Sequence, residues 1–323
     1  MKYAIVTGAS PSSIGFLAAK KLAATSNVLK VILACRNEEK GQEAQSLIQT
    51  EYPSSQPLFM LLDLASFDSI RKFVDDVHKL DDGAIAKDCG LSILIDNAGM
   101  GWGKDTPYIE TNDGLEEIVG VNHFGTFLLT QLLLEDLKRA EGQSRVVIVS
   151  SSLHDPNSWK GKKTESNEPA LVLPEFPEGI FQSKEGYDGF QAYKVSKLCN
   201  LWYAYELQRR LDQDGDSVKV NAVSPGFIPT TGLTRRSGWL GVFFLHYILD
   251  PLRYFGIGIT RSPDEGAEAL FQVCTSNVAS KGGEYFQLPK GKDVIEAILS
   301  SAESMDENKA KQLWNISIEK CKL

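Results

Sequence analysis

The chain has 323 residues, 42% hydrophobic and 24% charged, so it holds ample material for a buried core and is not a disordered protein. A formal net charge of -8 and a pI near 5.2 argue against binding a nucleic-acid backbone, which relies on clustered Lys and Arg, and any phosphate recognition should be local. Five scattered cysteines (Cys35, Cys89, Cys199, Cys274, Cys321) include no CxxC pair, and four unclustered histidines offer no metal-ligand spacing, so reduced thiols and no metal are expected.

The N-terminus enters an apolar strand at once, with no charged segment leading into a long apolar one, and a cytoplasmic protein is the expectation. Short β-rich runs then alternate with amphipathic stretches: Tyr3 to Thr7 and Ile14 to Thr25, Lys30 to Ala34 and Glu38 to Thr50, Leu58 to Leu62 and Ser66 to Leu80. Further strands are predicted at Ser92 to Ile95, Arg145 to Ser150, Val218 to Val223 and Glu284 to Phe286, with helices at Asp113 to Arg139 and Gly189 to Leu211. This rhythm predicts a single α/β domain over 1–323, a doubly wound parallel Rossmann-type sheet of about seven strands.

Two segments interrupt it. Residues 153–189, with Pro156, Pro169, Pro174 and Pro177, form a long insertion before the last of these helices. Residues 238–258, within a region expected to cover a substrate at 232–262, are strongly apolar and aromatic, but Asp250, Pro251 and Arg253 break them before the minimum of about 17 apolar residues for a membrane span is met. Cover over a hydrophobic small molecule is the primary expectation, and shallow contact with a membrane surface is the alternative.

Thr7-Gly8-Ala9-Ser10-Pro11-Ser12-Ser13-Ile14-Gly15 joins the first strand to a helix, where glycine allows close backbone approach and the helix N-terminus offers free amides and a positive dipole end. Gly8, Ser10, Ser13, Ile14 and Gly15 are therefore candidates to cradle a dinucleotide pyrophosphate. At the end of the second strand, where a carboxylate would accept the ribose hydroxyls of NAD, stands Arg36; a guanidinium there pairs with a 2′-phosphate and selects NADPH/NADP. Asp63 and Leu64 after the third strand, and Asn97, Ala98 and Gly99 after the fourth, lie where strand ends meet a dinucleotide, although capping and turn roles suit these residues too. Pro225, Gly226, Ile228 and Thr230 follow the sixth strand and are placed to contact the nicotinamide carboxamide.

Tyr193 and Lys197 lie four apart on one helix face. A phenol with an ordinary pKa of about 10 needs a neighbouring cation to act at neutral pH, and Lys197 is expected to lower it. Tyr193 would then exchange a proton with a carbonyl or alcohol oxygen, while Lys197 also holds the nicotinamide ribose. Ser151 can hydrogen-bond the same oxygen, with the register among Ser150, Ser151 and Ser152 open by one residue. Asn122 fits either a water held for proton relay or a buried structural role.

Together, TGASPSSIG, Asn97-Ala98-Gly99, Asn122, Ser151, YKVSK and PGFIPT resemble the short-chain dehydrogenase/reductase family over about residues 3 to 230. The resemblance implies a Rossmann-type domain, a tetrad of Asn122, Ser151, Tyr193 and Lys197, and hydride transfer with NAD(P)H. The glycine loop is one residue longer than usual, with Ser13 where a middle glycine would stand. LACRN, LLDLAS, NHFGTFLLTQLLLEDLK, YDGFQAYKVSKLCN, PTTGL and KQLWNISIEK are similar to light-dependent protochlorophyllide reductases, and the insertion is shared with retinol-dehydrogenase-like members as well. This likeness makes a plastid location the alternative if a transit peptide has been removed. Cys199 matches one family cysteine, but Phe227 stands where the pigment-reducing enzymes carry a functional one. The resulting expectation is an NADPH-dependent enzyme interconverting a carbonyl and an alcohol on a bulky hydrophobic substrate. Pigment C=C reduction and non-catalytic NADP binding are the alternatives.

Overall fold

Alternate residues of the central strands bury on opposite faces of one sheet, and a computed structural model shows how the helices cover both. It describes residues 2–25, 29–103, 106–155, 183–229 and 260–323. The strands β1 (Lys2–Thr7), β2 (Leu29–Cys35), β3 (Leu58–Leu61), β4 (Ile93–Asp96), β5 (Arg145–Val149), β6 (Lys219–Ser224), β7 (Tyr285–Gln287) and β8 (Glu296–Ile298) form an eight-stranded sheet in the order β3-β2-β1-β4-β5-β6-β7-β8. All neighbours are parallel except β7 and β8. The order reverses between β1 and β4, and in doubly wound sheets ligands bind at the carboxyl ends of the strands beside such a switch.

Tyr3, Ile5, Ile32, Leu94, Val146 and Ile148 pack toward α3 (Phe67–Lys79), α5 (Thr126–Leu132), α7 (Gly189–Asp214) and the C-terminal α9 (Glu307–Cys321). Ala4, Val6, Leu33, Ile95, Val147 and Phe286 pack toward α1 (Ile14–Thr25), α2 (Glu38–Glu51) and α8 (Pro263–Thr275). Burial on both faces explains the near-continuous apolar strands.

The helix expected over Asp113 to Arg139 is broken. Asn112, Asp113 and Gly114 make a turn instead, with Gly114 at φ +76° and a bridge between Glu110 and Glu116. Helix then begins as α4 (Glu117–Val119), capped by the Glu116 carboxylate, which accepts from the amides of Ile118 and Val119. A π-helical turn, Gly120–Gly125, leads into α5, and α6 (Leu134–Arg139) follows a break at Leu133. Gly125 permits the approach to the β3 end, since a Cβ there would lie 2.3 Å from the Leu64 carbonyl oxygen. π-Turns often mark functional positions, and this one carries Asn122. The eighth strand is the other departure. All three of its residues are exposed, so it shows no alternation to read. Most of the insertion (156–182) and of the covering region (230–259), including the apolar run 238–258, lies outside the described residues.

Candidate active site

At the end of β1 the chain turns at Gly8, whose φ of +69° lies in the left-handed region open to glycine. A Cβ on Gly8 would sit 2.9 Å from Ala98 Cα, and one on Gly15 2.4 Å from Asn97 Nδ2. Both glycines therefore answer to the close packing of this loop on the end of β4. Asn97 Nδ2 donates to the carbonyls of Thr7 (2.8 Å) and Gly8 (3.4 Å), while Thr7 Oγ1 accepts from the amides of Asn97 and Ala98. Ser13 closes the lengthened turn: its hydroxyl donates to Gly8 O (2.8 Å) and accepts from the Phe16 amide (3.0 Å), capping α1. The first-turn amides of Ile14 and Gly15 have no intrahelical partner and stand ready for an anion. Ser10 lies near the buried Cys35 thiol, whose pKa burial raises.

Other candidates converge on the same edge. Arg36 is exposed and makes no ion pair among the described residues, leaving its guanidinium available. Asp63 caps a turn through Ala65 N–H (3.0 Å), and the Leu64 side chain is buried in the core. Ile14, Pro225 and Ile228 meet around Gly266 of α8, where a Cβ would lie 3.1, 3.4 and 2.4 Å from their nearest atoms. Gly226 adopts φ +84° against Arg261. Thr230 lies outside the described residues.

α7 brings the catalytic candidates in from below. Asp188 caps it by accepting from the amides of Phe190 and Gln191, and the Tyr187 hydroxyl donates to Glu116 (2.7 Å), joining its entrance to α4. Tyr193 and Lys197 are each 4% exposed. Lys197 Nζ donates to Val149 O (3.1 Å), the one hydrogen bond its ammonium makes among the described residues, leaving two N–H groups to give. Of the three serines, Ser151 is the one whose side chain lies near enough to the Tyr193 hydroxyl to oppose the rise in its pKa. Ser150 instead turns inward to Lys197 O (2.7 Å), and Ser152 is exposed. Asn122 Oδ1 accepts from Met100 N–H (2.6 Å), and its Nδ2 donates to Met100 O and Ser196 Oγ (3.0 Å each). Its N–H groups are thus committed, and only a lone pair on Oδ1 remains for a water. Gly99 lies between these groups, a Cβ there being 3.2 Å from Asn122 Oδ1 and 3.5 Å from Lys197 Nζ.

The electrostatics depart from one expectation. Burial pushes the Tyr193 hydroxyl above the usual tyrosine range, with the nearby Ser151 side chain opposing it, and Lys197 does not lower it here. The Lys197 ammonium lies 5.6 Å from the centroid of the Tyr193 ring and is itself pushed down to about 8 by burial. The protein alone thus favours a protonated phenol.

Composition and spacing also missed an aromatic wall. Trp102 packs against both Tyr193 and Phe190 with ring centroids 4.6 Å apart, and Leu153, Met100 and Tyr187 join the cluster. The available signal was an aromatic residue soon after Gly99. Cys199 is fully buried on another face of α7, and burial pushes its thiol up.

The family model for short chain dehydrogenase matches residues 2–159. A protochlorophyllide reductase of Avena sativa is 32% identical over 97% of this chain and 97% of its own length. A polyprenol dehydrogenase of Mus musculus is 34% identical, covering 88% of this chain and 75% of its own. Among solved structures, a short chain dehydrogenase from Shigella flexneri complexed with NADP shares the fold, with a TM-score of 0.60 at 23% identity over 88% of this chain and 96% of that one.

Proposed function

The chain belongs to the short-chain dehydrogenase family, and on that premise we propose that it is an NADPH/NADP-dependent oxidoreductase interconverting a carbonyl and an alcohol on a bulky hydrophobic substrate. The observation that carries this reading is the buried Tyr193 beside Ser151, its ring packed on Trp102, which in turn packs on Phe190. The residues fit the cofactor. The amides of Ile14 and Gly15 would hold the pyrophosphate, Arg36 the 2′-phosphate and the two free N–H groups of Lys197 the nicotinamide ribose, while bare Gly99 leaves space beside Lys197. When bound, NADPH supplies the hydride for the carbonyl carbon.

The protein's part is proton transfer and orientation. Ser151 Oγ accepts from Leu153 N–H (3.2 Å), which orients the hydroxyl, and its single hydrogen would turn from the phenol to the substrate oxygen once substrate is bound. Tyr193 hands its proton to that oxygen as the alkoxide develops, and burial keeps this proton in place at neutral pH until then. Lys197, charged below about 8, stabilises the phenolate left behind. The aromatic wall excludes water and accepts an apolar substituent next to the reacting group.

The polyprenol dehydrogenase likeness favours a long apolar alcohol or aldehyde. A second reading, pigment C=C reduction under light, is supported by the protochlorophyllide reductase likeness and disfavoured by Phe227. NADPH absorbance followed with a panel of long-chain apolar aldehydes and ketones, beside an illuminated sample containing protochlorophyllide, tests both. Turnover of the carbonyls in the dark is expected; reduced pigment formed only in light would replace this reading, and NADPH binding without any turnover would point to a non-catalytic binder.

A further inference from the structure

We infer that His154, through one defined tautomer, is a positioning residue that fixes Ser151 against Tyr193. The inference rests on the catalytic reading above. His154 is 3% exposed, and its two ring nitrogens face backbone groups of opposite kind. Nδ1 lies 2.6 Å from the carbonyl oxygen of Ser151, a group that can only accept. Nε2 lies 3.1 Å from the amide of Ser301, a group that can only donate. The proton must therefore reside on Nδ1, with Nε2 bare and the ring neutral. Because both partners are backbone, neither can rotate to suit another assignment. Tyr285 on β7 packs its ring edge-on against the imidazole at 5.4 Å and holds its plane.

The bonds beyond His154 close a loop. Ser301 belongs to a C-terminal segment fastened to α7: Trp202 Nε1 donates to Glu303 O (2.9 Å), and the Tyr205 hydroxyl donates to Ser300 Oγ (2.8 Å). The segment is braced internally, Ser304 N–H donating to Ser301 Oγ and Ser304 Oγ to Ser301 O. A path therefore runs from α7 to Ser301, through the imidazole to Ser151, and back to α7 at Tyr193. The carbonyl that His154 holds is that of the serine assigned to catalysis, whose backbone is extended (φ -154°, ψ 150°). Displacement of a catalytic group by about 1 Å can cost roughly a hundredfold in rate.

Two variants separate the halves of this clamp. His154→Asn keeps an N–H near the Nδ1 position, and His154→Gln keeps an acceptor near Nε2 while losing the donor to Ser151. With a carbonyl the wild type reduces, H154N is expected to stay within about threefold of wild-type kcat, and H154Q to lose about tenfold or more. KM for NADPH should stay unchanged in both, and Tm should fall by a similar amount in both, since each leaves one buried backbone group unpaired. Equal losses in the two variants, or losses that follow Tm, would overturn the role. NMR of protein labelled with 15N-histidine reads the tautomer with no substrate. The signal absent from whichever variant folds should be a neutral ring protonated at Nδ1, and an Nε2–H pattern would overturn the clamp. A wild type with no turnover on any carbonyl, together with the expected tautomer, would refute the catalytic reading and the positioning role resting on it.

Discussion

The loops proposed to face the cofactor and the helix proposed to carry catalysis meet at one sheet edge, yet they are built on opposite principles. In the cradle, polar groups are largely satisfied by the protein: Thr7, Ser13 and Asn97 bond backbone, and Gly8 and Gly15 leave the space those bonds need. Around Tyr193 on α7 the two ionisable groups are buried with few partners: among the described residues Lys197 makes one hydrogen bond, and Tyr193 lies beside Ser151. The contrast teaches that the cradle is a matter of shape and the catalytic side one of stored proton affinity. A change of shape should break the first, and a change of charge the second.

Gly15→Val carries the largest expected effect, because its Cβ would lie 2.4 Å from Asn97 Nδ2 and 2.9 Å from Gly8 O. Loss of about 3 kcal/mol of stability and of detectable NADPH binding is expected, read by thermal melting and fluorescence titration. Lys197→Met should leave the fold intact, since a buried cation with one bond is replaced by an apolar chain, while kcat falls about a hundredfold. In the wild type, kcat/KM for reduction should decline as pH rises through about 8, where Lys197 loses its charge. Initial rates across pH check this. Arg36→Asp should raise KM for NADPH about tenfold or more while NADH improves, through the loss of a charge-assisted hydrogen bond and a new repulsion. An unchanged NADPH preference would remove Arg36 from the site.

The smallest effect sets one buried group in each region against the other. Burial lifts Asp96, beside the cradle, to about 7, and lowers His123, beside Asn122, to about 3. His123 binds fewer protons folded than unfolded, so its contribution falls as pH drops from 6.5 toward 3. Asp96 binds more protons folded, so its contribution falls as pH rises from 3.8 toward 7. The slopes oppose each other over the shared range. Asp96→Asn should expose the His123 slope, so that Tm falls more steeply from pH 6 to 4.5 than in the wild type.

The strand positions and the two helices that begin at Ile14 and Gly189 were readable because their apolar periods and flanking turns are local. What escaped was set at a distance. Asn122 takes its partners from the backbone of Met100 and from Ser196, so its spacing could not say whether the amide was free. The π-turn depends on how closely Gly125 meets Leu64, and β8 on pairing with β7 alone. His154 bonds a residue 147 positions away, a relation with no local signature. Among the described residues no helix is long and apolar enough to cross a membrane.

The central claim is that Tyr193 transfers the proton at a site the cofactor reaches without it. Tyr193→Phe, assayed for NADPH affinity by fluorescence and for carbonyl turnover by absorbance, tests it most directly. Affinity within about twofold of wild type, with kcat reduced about a thousandfold or more, is the result this account predicts. Turnover that survives the substitution would contradict it.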